Sequence, residues 1–162
     1  MRKIAFIVGQ GGAGKTTLVN YFHEHPVENW LFFDFDEGAK IKPDTKDLEH
    51  LGQWVDKQRN YWIKEVRSPK YGSDNICLFG VGMFPWKVGD IDGISFGYLF
   101  LDQNLRKDRL IKRGDSHLWE AYQKDVSRIV KRLDEMGAKK FDNSNRPIEE
   151  TAKEIKDWLE KL

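Results

Sequence analysis

The chain has 162 residues, 33% charged and 40% hydrophobic, long enough for one domain with a sizeable core and too apolar for a disordered polymer. Its 27 basic and 26 acidic residues leave a net charge of +1, so bulk charge gives no reason to expect a polyanionic partner such as DNA. A single cysteine, Cys77, excludes an intrachain disulfide and a four-thiolate zinc site, and its apolar neighbours predict a buried strand thiol in a reducing, cytoplasmic setting.

Met1-Arg2-Lys3 precedes only five apolar residues, fewer than a signal-peptide core requires, and no stretch has the length of a membrane span. The expectation is a soluble protein with no membrane or nucleic-acid partner. Residues 4–8 form a β-branched apolar run suited to a strand buried on both faces. Residues 15–25 follow as a helix with Leu18, Val19 and Phe22 on one face. A second strand is predicted over 30–35. Asp44 can cap a long helix carrying Leu48, Leu51, Val55, Trp62 and Val66, which Ser68-Pro69 ends.

Strands are expected at 75–79 and 94–101, then a basic helix over 104–113 stopped at Gly114. From about Ser116, one long helix is predicted that carries Leu118, Tyr122, Val126, Ile129, Leu133 and Met136 before Gly137. A brief strand at 139–141 precedes a last helix opened by Pro147, with Ile148, Ala152, Ile155 and Leu159 inward. Strands separated by helices favour parallel pairing. The predicted fold is a three-layer α/β/α sandwich on a mostly parallel five-stranded sheet, in a single domain spanning 1–162.

Gly9-Gln10-Gly11-Gly12-Ala13-Gly14-Lys15-Thr16 matches the phosphate-binding loop G-x-x-x-x-G-K-[ST] in full, followed by Thr17. Glycines let successive backbone N–H groups turn around phosphate oxygens, Lys15 brings a cation to the β- and γ-phosphates, and the Thr16 hydroxyl can complete a magnesium octahedron. The helix that starts near Lys15 adds the positive end of its dipole. A nucleoside triphosphate, read as ATP with Mg2+, is the expected cofactor.

Leu31 to Glu37 is an apolar strand that delivers carboxylates at its C-terminal end, the edge where ligands bind in parallel α/β sheets. Strand alternation would put Asp34 and Asp36 on one face; one could steer magnesium, directly or through water, and the other could accept the proton of an attacking hydroxyl. Asp34, inside the aromatic run, is the better candidate, and Glu37 is expected to be exposed. Arg106, Lys107, Arg109, Lys112 and Arg113 make a basic stretch in which Arg109 and Arg113 share a helix face and could meet charge developing on a transferring phosphoryl group. His23, His25, His50 and His117 show no ligand spacing, so no metal beyond nucleotide-bound magnesium is expected.

These motifs together resemble the P-loop kinases of small molecules, nucleosides and nucleotides, among them shikimate, gluconate and adenylate kinases. Residues 76–82, Ile-Cys-Leu-Phe-Gly-Val-Gly, resemble their third strand and the glycine turn lining the acceptor pocket; Leu99-Phe100-Leu101-Asp102 and the arginines after it resemble the strand and the arginine-bearing lid; Phe141 to Pro147 resembles the adenine-side turn. The resemblance implies an ATP-dependent kinase acting on a small-molecule acceptor. It assigns Lys15, Asp34, Asp36, Arg109 and Arg113 to catalysis, Gly9, Gly11, Gly12, Ala13, Gly14, Lys15, Thr16, Thr17 and Arg146 to the nucleotide, and Thr16 and Asp34 to the metal. Trp62 resembles an aromatic near the acceptor pocket, while Trp54, Trp119 and Trp158 read as packing.

Two departures limit the resemblance. The lid can only be small, about 104–116, and the arginine that shikimate kinase would place beside the glycine turn is not evident; Met83, Phe84 and Trp86 stand there. The acceptor therefore stays unassigned, as do the base preference and the oligomeric state, a homodimer being allowed. Two other readings compete. A partitioning or scaffold-type regulatory ATPase has a similar loop but needs a lysine at Gln10, and a non-catalytic nucleotide-binding module would not need Lys15, Thr16 and Asp34 intact.

Overall fold

The computed structural model of the chain describes residues 2–37, 42–89 and 93–162. Five strands, β1 (Ile4–Gly9), β2 (Trp30–Asp34), β3 (Asn75–Gly80), β4 (Ile94–Phe100) and β5 (Lys139–Asp142), form one sheet in the order β2-β3-β1-β4-β5. Every pairing is parallel, with β1 at the centre between β3 and β4. The helices are α1 (Lys15–Glu24), α2 (Leu48–Glu65), α3 (Pro85–Val88), α4 (Gln103–Lys112), α5 (Ser116–Tyr122), α6 (Val126–Glu135) and α7 (Ile148–Leu159).

Strand alternation explains the three layers. Ala5 and Ile7 of β1 face one side with Cys77 and Phe79, where Leu18, Val19 and Phe22 of α1 and Ile155 and Leu159 of α7 cover them. Ile4 and Phe6 face the other side with Ile76 and Leu78, under Trp62 and Val66 at the end of α2. Val8 and Tyr98 continue that face beneath Leu133 and Ile129 of α6. Both faces of β1 are buried, as its unbroken apolar sequence predicts. Cys77 is fully buried, and desolvation pushes its thiol well above the ordinary range. Among the described residues no helix is long and apolar enough to cross a membrane.

Three sequence expectations are corrected. The cap of α2 is Asp47, whose carboxylate accepts the His50 N–H at 3.1 Å, while Asp44 heads the preceding turn by accepting from Lys46 N–H. The single helix predicted over 116–136 is two helices joined by a 3₁₀ turn, Gln123–Asp125. Its apolar residues have two destinations: Leu118 and Trp119 lie on the loop after β1 and on Arg106, whereas Ile129 and Leu133 lie on β4. The axis must turn between them, and Tyr122 and Met136 are exposed. The sequence reading also lacked α3, which Pro85 opens at the first helical position.

Candidate functional site

The loop between β1 and α1 lies at the C-terminal edge of the sheet, where β2 and β3 also end. Gly12 and Gly14 take φ values of 84° and 99°, which let the chain reverse tightly before α1 begins. The Ala13 N–H closes the turn onto Gln10 O at 3.1 Å, and the first bond leading into α1 runs from Leu18 N–H to Gly14 O. The N–H groups of Lys15, Thr16 and Thr17 therefore have no backbone acceptor among the described residues and stand at the positive end of the helix.

Lys15 folds back over the loop and donates Nζ–H to Gln10 O at 2.9 Å. Desolvation lowers its pKa from 10.5 to about 8, against the pull of the Asp34 and Asp36 carboxylates, while Lys42 and Arg113 lower it further. The Thr16 hydroxyl donates to Asp34 Oδ2 at 2.6 Å, joining the loop to the end of β2. Asp34 is buried, and its Oδ1 accepts the Asp36 N–H at 3.1 Å. The expectation that Asp34 and Asp36 lie on one strand face does not hold, because β2 ends at Asp34 and the chain turns there. Asp36 is exposed and pairs with Lys42 at 2.5 Å; Glu37 is exposed beside it.

The basic helix α4 sits against the loop. Arg106 and Leu110 are buried there, and Arg106 Nε donates to Gly11 O at 2.9 Å with its guanidinium over the Trp119 ring. Arg109 Nη1 reaches Gly12 O at 3.3 Å. Arg113 turns to Asp115, donating to Oδ2 at 2.7 and 3.1 Å. Asp115 and His117 meet Thr45, from the segment before α2, at 3.4 and 2.9 Å, so the start of α5 and that segment touch. Arg146 is turned to α7, donating to Thr151 Oγ1 and Glu154 Oε2. Of the residues singled out in the sequence, the fold thus groups residues 9–17 with Asp34 and Arg109, keeps Asp36 and Arg113 at the rim, and holds Arg146 on α7.

Three side chains of α2 build the opposite wall: Trp62, singled out in the sequence, and Gln58 and Arg59, which sequence reasoning passed over. Gln58 Nε2 donates to Phe35 O and Glu37 O at 3.1 and 3.2 Å, and the Trp62 indole N–H donates to Phe35 O at 2.9 Å. Arg59 Nε donates to Gly82 O at 2.7 Å, and its Nη2 pairs with Asp56 at 2.8 Å. Arg59 thus brings a guanidinium from α2 to the glycine turn. A Cβ on Gly82 would lie 2.6 Å from Val55, so the turn can approach the helix this closely only as glycine. One signal was available: Gln58 and Arg59 fall between Val55 and Trp62 on the apolar face of α2, where unpartnered polar side chains are costly.

The residues that could hold a metal are Thr16 and Asp34, which offer oxygen atoms only, the donor set magnesium takes. Among the described residues no group of three or more His, Cys, Asp or Glu side chains comes together as a metal cluster.

No protein-family model matches the sequence, and no curated protein sequence matches it. Solved structures do match in fold. A shikimate kinase from Acinetobacter baumannii in complex with shikimate has a TM-score of 0.61 at 18% identity, covering 100% of this chain and 93% of that one. An uncharacterised protein from Eubacterium ventriosum has a TM-score of 0.57 at 14% identity with both chains covered in full. A gluconokinase from Sinorhizobium meliloti has a TM-score of 0.54 at 15% identity, covering 99% of this chain and 93% of that one. At these identities the likeness establishes the architecture: a five-stranded parallel sheet between helices, in the P-loop kinase fold.

Proposed function

We propose that this protein is an ATP-dependent kinase that moves the γ-phosphoryl group to a hydroxyl or phosphate of a small molecule, a nucleoside or nucleotide among the candidates. The observation that carries the reading is the 2.6 Å bond between Thr16 and Asp34, which places the loop's hydroxyl and a buried carboxylate at one point. The fit to Mg·ATP is physical. Uncommitted N–H groups at the start of α1 suit phosphate oxygens, and the Thr16 and Asp34 oxygens suit magnesium.

When bound, Mg·ATP supplies the phosphoryl group and part of the charge neutralisation. The chain's own residues do the rest. The N–H groups of residues 14–17 hold phosphate oxygens, and Lys15 exchanges Gln10 O for a phosphate. Asp34 orients the metal or takes the acceptor's proton at a carboxylate oxygen. Arg109 and Arg113, from the basic helix and its end, would close over the transferred group and exclude water. The glycine turn and the Gln58-Arg59-Trp62 face of α2 would form the acceptor wall. A coupled ADP-release screen over hydroxyl-bearing metabolites and nucleosides tests this, with ADP release expected only when an acceptor is present. Equal ADP release with and without any acceptor would contradict it.

A further inference from the structure

The carbonyls of residues 10–14 each have a donor. Lys15 Nζ and Leu18 N–H serve Gln10 O and Gly14 O from nearby. The other three donors come from far along the chain: Arg106 Nε on Gly11 O, Arg109 Nη1 on Gly12 O, and Asn143 Nδ2 on Ala13 O at 2.9 Å. The last is buried and heads a chain of bonds with one possible polarity. The Arg146 guanidinium can only donate, and it gives Nε–H to Thr151 Oγ1 at 3.0 Å. The Thr151 hydroxyl keeps its own O–H to donate onward to Asn143 Oδ1 at 2.9 Å. The Asn143 amide must then turn Nδ2 to the Ala13 carbonyl, which can only accept. Glu154 anchors the far end through Arg146 Nη2 at 2.6 Å.

A peptide unit is planar and trans, so the atom that holds the Ala13 carbonyl also fixes the direction of the Gly14 N–H across the same plane. Gly14 leaves room for this: a Cβ there would lie 2.7 Å from Asn143 Nδ2. We propose that Asn143, oriented by Thr151, is a positioning residue for triphosphate binding that aims the Gly14 peptide into the phosphate cradle. It thereby couples the turn before α7 to the P-loop. The inference rests on the reading of the P-loop as a triphosphate site. It gives Arg146 a place at the back of that site, through Thr151, in addition to any contact with the nucleotide.

Asn143→Asp in the full chain separates positioning from mere packing. An ionised carboxylate sets an acceptor against the Ala13 carbonyl, whereas a protonated carboxyl can donate to it again. Calorimetry with Mg·tripolyphosphate, which carries no base, and with Mg·ATP should give binding roughly ten- to hundredfold weaker than wild type at pH 8. Compared with wild type at each pH, the deficit should close as the pH falls towards about 5.5 and the buried carboxyl takes up its proton. Thr151→Val, which removes the orienting hydroxyl, should give a smaller loss that does not change with pH. If Asn143→Asp does not fold, Thr151→Val decides: weaker binding with Tm retained supports the inference. Wild-type affinity in both variants overturns it, as does a pH-independent deficit in Asn143→Asp that only follows a fall in Tm. Wild-type protein that binds neither probe would overturn the triphosphate reading, and this inference with it.

Discussion

Around the P-loop the backbone is held at every carbonyl from residue 10 to residue 14 by donors from three parts of the chain, α1, α4 and the turn before α7, whereas the wall opposite is held by one helix. There, Gln58, Arg59 and Trp62 of α2 carry the carbonyls of Phe35, Glu37 and Gly82. A loop that must present N–H groups in fixed directions cannot tolerate a rotated peptide, because one misdirected dipole turns a donor into an acceptor facing phosphate. A wall that selects among acceptors can move as a unit with its helix. Under the proposed function, the phosphate side is thus built for invariance and the acceptor side for adjustment. Substitutions on the two sides should separate in which kinetic constant they change.

The largest expected effect is Lys15→Ala. Among the described residues its ammonium hydrogen-bonds only to the loop's own Gln10 carbonyl, so the fold should survive while triphosphate affinity drops and phosphotransfer is lost. Nucleotide titration and steady-state rates on the same preparation check both. Asp34→Asn comes next. The amide oxygen can still accept from Thr16, so triphosphate affinity should stay within about tenfold of wild type, while kcat falls by roughly two to four orders of magnitude. Parallel loss of affinity, Tm and kcat would make Asp34 a structural carboxylate.

Arg59→Met tests the other side. It strips the Gly82 carbonyl of its donor and leaves Asp56 without its partner, at a cost of about 1–3 kcal/mol in stability by denaturant unfolding. Triphosphate affinity should be unchanged, and any kinetic effect should fall on the KM of the acceptor. A comparable loss of triphosphate affinity would erase the distinction between the two sides.

The smallest effect is a pH dependence. With the Lys15 pKa depressed to about 8, the free loop loses its cation as pH rises through 8, so triphosphate affinity should weaken there and binding above pH 8 should take up a proton. For stability the sign is opposite. The cost of burying the charge is fully present below 8 and is relieved between about 8 and 10.5, where the unfolded lysine still holds its proton and the folded one does not. Calorimetry in buffers of differing ionisation enthalpy measures the proton uptake directly.

What was legible in the sequence follows the range of the interactions. The P-loop is a local object: its glycines, lysine and threonine act through spacing within eight residues, and β1 and α1 flank it where hydrophobic periodicity puts them. The sheet was equally readable, because apolar runs such as those of β1 and β3, separated by helical stretches, favour parallel pairing. The end of β2 was less so, since alternation assumes a strand that continues, and this one stops at Asp34. The split between α5 and α6 was hidden because both halves keep helical periodicity while facing different partners. The partners of Arg59, Arg106 and Asn143 were illegible for another reason: the acceptors lie 23, 95 and 130 residues away, and only the fold brings them together. Arg106 in particular stood in the sequence as one cation of a basic stretch, yet it is among the most buried side chains of the molecule.

The most direct test follows the phosphoryl group itself. ATP labelled at the γ-phosphate, incubated with the protein, magnesium and the acceptors that stimulate ADP release, should pass its label into an organic phosphate. The Asp34→Asn variant should bind the nucleotide and transfer almost none. Label recovered only as inorganic phosphate, at the same rate with and without acceptor, would contradict the account and make this chain a hydrolase built on a kinase fold.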